Sequence, residues 1–116
     1  MKEEAKKIIK EVCELWGVSV EDVVGKKRNL PLPLVRCMAI KHIRDSCGLT
    51  FQQIGNLFNR NHATMIHHIK MYESEYSYNK EFRDIDNRVK VFVLDIKNAF
   101  QKELEQEYVE IRGYGV

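Results

Sequence analysis

Apolar residues recur every three or four positions along most of the chain, and short polar breaks separate these stripes. Such spacing places apolar side chains on one face of a helix, so the pattern predicts a succession of amphipathic helices. Gly17 follows the first stripe as a C-terminal cap, and the run from Ser19 to Asp22 resembles a capping box that begins a short helix through Val24. The first stripe consists of Ala5, Ile8, Ile9, Val12, Cys13 and Trp16.

The next part of the chain predicts a basic loop followed by a longer buried helix. Gly25 ends the short helix, and residues 26–29 read Lys-Lys-Arg-Asn. Proline lacks an amide hydrogen and restricts the residue before it, so Pro31 and Pro33 exclude a helix interior here. Pro33 suits the first turn of a helix that should end near Cys47, before Gly48. Its inward residues are predicted to be Val35, Met38, Ala39 and Ile43.

Residues 50–76 have the pattern of a helix-turn-helix. A capping box at residues 50–53 opens a short helix, residues 59–61 form a turn, and a second helix begins near His62. Gly55 costs its helix about 1 kcal/mol relative to alanine, and we expect close approach of the second helix to compensate. The inward residues are predicted to be Phe51, Ile54, Leu57 and Phe58 in the first helix and Ile66, Ile69 and Tyr72 in the second, with His67, His68 and Met71 on the outer face.

A long last helix is predicted after a break at residues 77–79. Its apolar positions are separated by alternating steps of three and four, which suits either packing on the protein's own bundle or a coiled-coil seam with a second copy. Because an apolar edge continues at Phe100 and Leu104, we expect a homodimer through residues beyond about Val89. The apolar positions are Phe82, Ile85, Val89, Phe92, Ile96 and Ala99.

The net charge of +2 conceals an uneven distribution of charge along the chain. Residues 1–25 carry −2, residues 26–70 carry eight Lys or Arg and one acid for a net +7, and residues 71–116 carry −3. A concentrated basic stretch is the electrostatic footprint of a protein that binds a polyanion. A protein that only assembles through its helices does not need its positive charge concentrated in one segment.

Several classes of function are disfavoured by the composition. No apolar run approaches the ~18 residues that span a bilayer, and no signal core follows the N-terminus, so a cytoplasmic, nucleoid-associated protein is expected. Cys13 should be buried and reduced, while Cys37, His42 and Cys47 lie at steps of five that rotate about 140° each. We therefore expect core thiols, an exposed His42 and no metal. No motif indicates an enzyme, a cofactor or a small-molecule substrate.

The second helix of the helix-turn-helix begins with residues suited to DNA. Asn61 is a good N-cap, and His62, Ala63 and Thr64 project from a helix N-terminus, which favours phosphate. The N-terminal residues of a recognition helix are those that meet base edges. The pattern predicts binding to double-stranded DNA, with a plain helical bundle as the alternative.

Residues 12–72 resemble the C-terminal DNA-binding domain of the bacterial replication initiator DnaA. The last of the matching runs is similar to the family signature, an Arg-Asp-His-Ser/Thr-Thr string that opens the recognition helix. The resemblance implies an all-α helix-turn-helix bundle, DnaA C-terminal or Trp-repressor-like, with a role in DNA replication initiation or its regulation. The matching runs are Val18-Ser-Val-Glu-Asp22-Val-Val, Lys26-Lys27-Arg28, Arg36-Cys-Met38-Ala39, Phe51-Gln-Gln-Ile54-Gly55-Asn-Leu-Phe58 and Arg60-Asn61-His62-Ala63-Thr64-Met-Ile66-His67.

The resemblance also implies roles for individual residues. Arg28 would enter the minor groove, and Asn61, His62, Ala63 and Thr64 would contact base edges in the major groove. No residue is implied in catalysis or metal binding. Phosphate contacts, which position the protein without reading sequence, would come from Lys26, Lys27, Arg36, Arg44, Arg60 and His67.

The chain departs from the family pattern in several places. Asn61 replaces an acid, Ala63 replaces a hydroxyl residue, and a turn glycine is missing before Arg60. Asn can pair with adenine where an acid accepts from cytosine, and Ala63 can contact a thymine methyl but cannot hydrogen-bond. The family's own target sequence therefore does not carry over. No Gly-x-x-x-x-Gly-Lys-Ser/Thr motif occurs, so a complete chain of this sequence is expected to lack ATP-driven assembly.

These observations predict two segments. Residues 1–79 form a helical DNA-binding domain with the helix-turn-helix at about 50–76, and residues 80–116 form a long C-terminal helix that packs or self-associates and ends in a short flexible tail. Two alternatives remain open: a stand-alone helix-turn-helix transcriptional regulator, and a non-DNA interaction protein that assembles through the C-terminal helix.

Overall fold

The computed structural model describes the backbone of residues 2–114 and the side chains of residues 2–99. Within residues 2–114 there is no strand, and the predicted all-α class is confirmed. No helix in this range is long and apolar enough to cross a membrane. The elements in chain order are α1 (Lys2–Trp16), α2 (Val20–Val24), α3 (Leu32–Cys47), α4 (Phe51–Leu57), a 3₁₀ turn (His62–Thr64), α5 (Met65–Tyr78) and α6 (Lys80–Tyr114).

The predicted caps set the helix boundaries. Gly17 and Gly48 follow α1 and α3 with φ of +73° and +64°, a left-handed conformation that glycine adopts without strain. The Ser19 hydroxyl accepts a hydrogen bond from the amide of Asp22 and begins α2. At α4, the Thr50 hydroxyl accepts from the Gln53 amide, and the Gln53 side chain accepts from the Thr50 amide, which is the capping box expected from the sequence.

Helix α3 is the centre of the bundle, and α1, α2, α4, α5 and α6 all pack against it. Trp16 at the end of α1 is partly buried; its indole nitrogen donates to the Met38 sulfur at 3.4 Å, and its ring tilts against Phe82. Because five helices pack around α3, most of its sides face the core, which explains why its sequence is nearly continuous in apolar residues. The predicted core residues Val35, Met38, Ala39 and Ile43 are all buried in α3.

The first half of α6 packs onto the same core mainly through the predicted stripe, with Phe82 and Val89 buried and Ile96 packed against the core. Ile85 and Phe92 are only partly buried, and Ala99 is exposed. A helix packed against three others buries a wider stripe than a two-helix seam, so it takes in neighbouring positions. Phe100 and Leu104 lie beyond the described side chains, and residues 115–116 of the predicted tail lie outside the described backbone. The buried residues of α6 are Phe82, Asp86, Val89 and Val93.

The expectation that His42 is exposed is wrong. His42 is buried, and its Nε2 lies 2.6 Å from a carboxylate oxygen of Asp86. A buried carboxylate 44 positions away supplied the partner, and nothing local to α3 indicated it. The three cysteines are buried and free, as expected, and burial raises the pKa of the Cys13 thiol to about 11.

Candidate nucleic-acid interface

The helix-turn-helix is held together by a close contact at Gly55. A Cβ at this position would lie 2.5 Å from the carbonyl oxygen of Arg60, and the Arg60 amide donates to the Gly55 carbonyl at 2.8 Å. Glycine therefore admits the turn against α4. The sequence predicts a close backbone approach at Gly55, and the structure has one. The approaching segment is the turn at Arg60 rather than the second helix.

Asn59 takes the turn position that requires a left-handed backbone. Its φ is +55°, a conformation in which asparagine is enriched among non-glycine residues. Its side-chain amide donates to the carbonyl of Val24 at the end of α2, at 3.2 Å. A glycine is not needed in this turn, because asparagine both tolerates the conformation and ties the turn to α2.

The segment after the turn begins as a 3₁₀ turn and presents its first residues to solvent. The Oδ1 of Asn61 accepts from the Ala63 amide at 2.9 Å, and the Thr64 hydroxyl donates to the Asn61 carbonyl at 2.8 Å. Residues 61–64 are all exposed. The cap uses the oxygen of the Asn61 amide, so the NH₂ group of this exposed residue keeps its two donors.

Helix α5 buries a different stripe from the predicted one. Ile66 was predicted to face inward but is 53% exposed, and His68 was predicted to face outward but is 8% exposed. Two overlapping stripes in this sequence both end at Tyr72 with helical spacing. The structure buries Met65, His68 and Tyr72, and it leaves Ile66 beside the exposed His67.

The basic loop lies next to this segment. Lys26, Lys27 and Arg28 are exposed, and the ammonium of Lys27 is 3.2 Å from the Asp22 carboxylate. A cleft of about 390 Å³ runs between the loop, the start of α3 and the outer side of α5. It is lined by Arg28, Pro33, Arg36, Arg60, Thr64, His67, His68 and Met71.

Arg36 does not have the surface position expected of a phosphate contact. It is 2% exposed, and its guanidinium donates to the carbonyl of Val23 from Nε at 2.7 Å. Its Nη2 donates to the carbonyls of Asp22, Gly25 and Lys27. Arg36 therefore holds the end of α2 and the start of the basic loop in place. The resemblance implies a phosphate contact for Arg36, whereas the bonds that it makes here are structural.

Two other arginines are oriented but less enclosed. Arg60 donates to the carbonyls of Phe58 and Gly25 at 2.7 and 2.8 Å. Arg44 is exposed, donates to the Leu49 carbonyl at 2.8 Å, and stacks over the ring of Phe51. An arginine has five N–H donors, so both side chains keep donors for a ligand.

Positive groups cluster at the cleft without a carboxylate among the residues that line it. Burial, and then the charge of Arg28, lowers the pKa of Arg60. Burial and the charges of Arg60, His67 and Arg36 lower the pKa of His68 to about 4, so its imidazole is neutral at pH 7. The Nδ1 of His68 is buried and has no hydrogen-bond partner. A cleft with these properties favours an anion.

The predicted site residues fall into three groups, with Arg44 outside them. Arg28, Arg36, Arg60, Thr64 and His67 line the cleft, and residues 61–63 form the exposed edge beside it. Lys26 and Lys27 lie on the adjoining loop, while Arg44 is not among the residues that line the cleft. Sequence reasoning missed Pro33 as a cleft residue and missed the exposure of Ile66, although each sits at a position that the helical pattern left ambiguous.

Comparisons with known proteins identify one family. Residues 5–71 match the family described as bacterial dnaA protein helix-turn-helix. The chromosomal replication initiator protein DnaA 1 of Chlamydia pneumoniae is 30% identical over 99 residues, which is 85% of this chain and 21% of that protein. DnaA 2 of Protochlamydia amoebophila is 36% identical over 64 residues, or 55% of this chain and 14% of the relative. The DnaA of Pseudothermotoga lettingae is 30% identical over 67 residues, 58% and 15% of the two chains.

The chain thus spans about a fifth or less of the length of these relatives, and the family match includes α4, the turn and the first half of α5. The family match covers more than half of the chain, from α1 into α5. The chain belongs to the bacterial DnaA helix-turn-helix family.

Proposed function

We propose that this protein binds double-stranded DNA in a sequence-specific manner. The observation that carries the proposal is the exposed first turn of the helix-turn-helix, residues 61–64, beside a cationic cleft with no carboxylate in its lining. Helix-turn-helix proteins place the N-terminal residues of the second helix against base edges in the major groove. The uneven charge of the chain adds a second support, because the +7 segment, residues 26–70, contains both the cleft and the turn.

The proposed DNA contacts fall into base contacts and phosphate contacts, according to the groups that each side chain leaves accessible. Asn61, His62, Ala63 and Thr64 would meet base edges, and Arg28 on the basic loop would enter the adjacent minor groove. Phosphates would be held by side chains that keep free donors at the surface. Arg36 is left out of this set because it is buried and its Nε and Nη2 donate to backbone carbonyls. The proposed phosphate contacts are Lys26, Lys27, Arg44, Arg60 and His67.

The biological role follows from the relatives. The matched proteins are chromosomal replication initiators, and the matched segment is the helix-turn-helix. We place the protein in replication initiation or its regulation, acting on chromosomal DNA as a binding protein without catalysis of its own. This reading is favoured over an unrelated transcriptional regulator or a non-DNA interaction protein, because the family match and the cationic cleft fall on the same residues.

The test is the salt dependence of duplex binding, measured by fluorescence anisotropy. Each neutralised phosphate contributes about −0.9 to the slope of log affinity against log salt, so the five proposed contacts give a slope of about −4 to −5. Lys26→Ala should reduce the steepness by about one unit. Arg88→Ala, an exposed arginine on α6, is the matched control and should leave the slope unchanged. Affinity that is absent at low salt, or independent of salt, contradicts the proposal.

A further inference from the structure

The recognition segment carries one large apolar side chain on its exposed side. Ile66 is 53% exposed, whereas the neighbouring Met65 is fully buried in the core. Ala63 and Lys70 lie three and four positions from Ile66, which places them next to it on the same helical face. Both of these neighbours are exposed. Ile66 therefore extends the accessible edge that begins at residues 61–64.

The surroundings of Ile66 indicate what would cover it. Lys70 is exposed four positions from Ile66, and Ile66 follows the exposed edge of residues 61–64, although it is not among the residues that line the cleft. Ile66 also lies within residues 26–70, whose net charge of +7 opposes a basic partner and favours a polyanion. In the major groove of DNA, the apolar group that a side chain can meet is the 5-methyl of thymine.

We propose that Ile66 contacts the 5-methyl group of a thymine and so selects thymine at one position of the target. The inference rests on the proposed DNA binding and deepens it. Aliphatic contact with a methyl group is short in range and excludes water from both surfaces. Cytosine carries only a hydrogen at this carbon and has an amino group where thymine has O4, so cytosine at this position leaves Ile66 without its apolar partner.

Replacing thymine with deoxyuridine tests the contact, because it removes the methyl and keeps the base pair. After selection of a target from a random duplex pool, each thymine is replaced in turn and affinity is measured for the wild type and Ile66→Ala. At one thymine the wild type should lose about fourfold in affinity, the factor for one buried methyl-sized group. Ile66→Ala should lose a similar factor on the unmodified target and show no further loss at that thymine.

Two variants control the measurement. Val20→Ala trims another exposed aliphatic side chain, on α2, and should behave as the wild type on every duplex. Ile66→Val keeps most of the apolar surface and should keep part of the discrimination. Because Ile66 is exposed, Ile66→Ala should unfold at the wild-type urea midpoint, which checks that the fold is intact.

The outcomes separate the inference from the proposed function. If the wild type binds its target and deoxyuridine affects wild type and Ile66→Ala alike at every thymine, the inference is overturned while DNA binding stands. If Ile66→Ala leaves DNA affinity unchanged and alters the sedimentation coefficient, Ile66 belongs to a protein contact and the inference is again overturned. If the wild type binds no duplex, the proposed function itself fails.

Discussion

Arginine residues of this protein act in two ways that depend on where their donors point. Arg36 makes four bonds to carbonyls of residues 22–27, while Arg28 is exposed on the loop that Arg36 supports. Both are basic residues in matching family segments, so the sequence alone assigned both to DNA. The difference arises because Arg36 follows Val35 on the buried side of α3, where long-range packing decides its partners.

The first turn of the recognition segment should determine specificity rather than general affinity. His62→Ala removes an exposed imidazole, and Thr64→Ala removes an exposed hydroxyl that donates to the Asn61 carbonyl and can still accept from a base. We expect each to lose about 1–3 kcal/mol on a selected target, with little change on random duplex. Competition binding on the two duplexes measures the difference. Lys26→Ala is the contrasting variant, because loss of a phosphate contact weakens both duplexes alike. Equal losses for His62→Ala on both duplexes would show that His62 does not read bases.

His68 should make the protein less stable in mild acid. Burial and nearby positive charges lower its pKa from 6.5 to about 4 in the fold. Between these values the unfolded chain binds a proton that the folded protein excludes, so the free energy of unfolding falls as the pH falls from about 6.5 towards 4. This contribution is constant above pH 6.5.

The measurement is urea unfolding at pH 7 and pH 5. Wild type should lose more stability over this interval than His68→Gln, which cannot take up the proton, by a difference of about 2 kcal/mol. His62→Gln, at an exposed histidine in the same segment, controls for the loss of any imidazole. An identical pH response of wild type and His68→Gln would contradict the assigned burial.

At the scale of elements, one buried carboxylate joins three helices. Asp86 of α6 lies 2.6 Å from the Nε2 of His42 on α3, and its other oxygen accepts from the Tyr72 hydroxyl on α5 at 2.7 Å. Burial alone would raise the pKa of Asp86, but the hydrogen bonds from His42 and Tyr72, with the nearby charge of Lys90, outweigh it and hold the pKa below its usual value. The helix that carries the recognition residues is thereby fixed to α6.

Tyr72→Phe removes one of these bonds while keeping the ring. Hydrogen bonds to charged groups contribute about 1.5–3 kcal/mol, and we expect a loss of that size in the free energy of unfolding. Tyr78→Phe is the matched control, because Tyr78 at the end of α5 is 89% exposed and should show no change. Chemical denaturation of the wild type and the two variants measures this loss. If Tyr72→Phe is as stable as the wild type, the bond to Asp86 does not help to hold α5.

The elements themselves could be predicted well from the sequence, because their ends are set by local chemistry. The caps at Ser19, Thr50 and Asn61 act over three residues and need no tertiary information. The faces of α5 and α6 could not be predicted as well. Asp86 and His68 are polar residues in buried positions, and hydrophobic periodicity assigns such residues to the surface. Their burial depends on partners and neighbours far along the chain.

At the scale of the whole molecule, α6 continues past the bundle that it helps to form. Val93 is the last residue of the described side chains that is buried, and residues 97–99 are exposed. Val91 and Leu94 are exposed by 61% and 56% on the outer side of the helix. An apolar outer edge on a helix of this length is more surface than one copy of the bundle covers.

We propose that two chains associate through this part of α6. One helix-turn-helix presents a single short recognition segment, and a dimer would engage two half-sites. Sedimentation at tens of micromolar should show a dimer for the wild type and a monomer when Val91 and Leu94 are both changed to serine. Val20→Ser, an exposed apolar residue on α2, should leave the dimer intact. A wild type that sediments as a monomer would contradict dimerisation without affecting the proposal for DNA.

The bonds between the helix-turn-helix and the end of α2 limit the DNA sites that this protein can use. The carbonyls of Val24 and Gly25 accept from Asn59 and Arg60, so the loop bearing Arg28 and the turn before residues 61–64 cannot move apart independently. An inserted base pair would shift the far part of the site by 3.4 Å and rotate it by about 35°. The loop and the turn are tied to the same end of α2, so their separation cannot change to match such a displacement. Targets should therefore tolerate substitutions at single positions far better than a change of length between the minor-groove and major-groove parts.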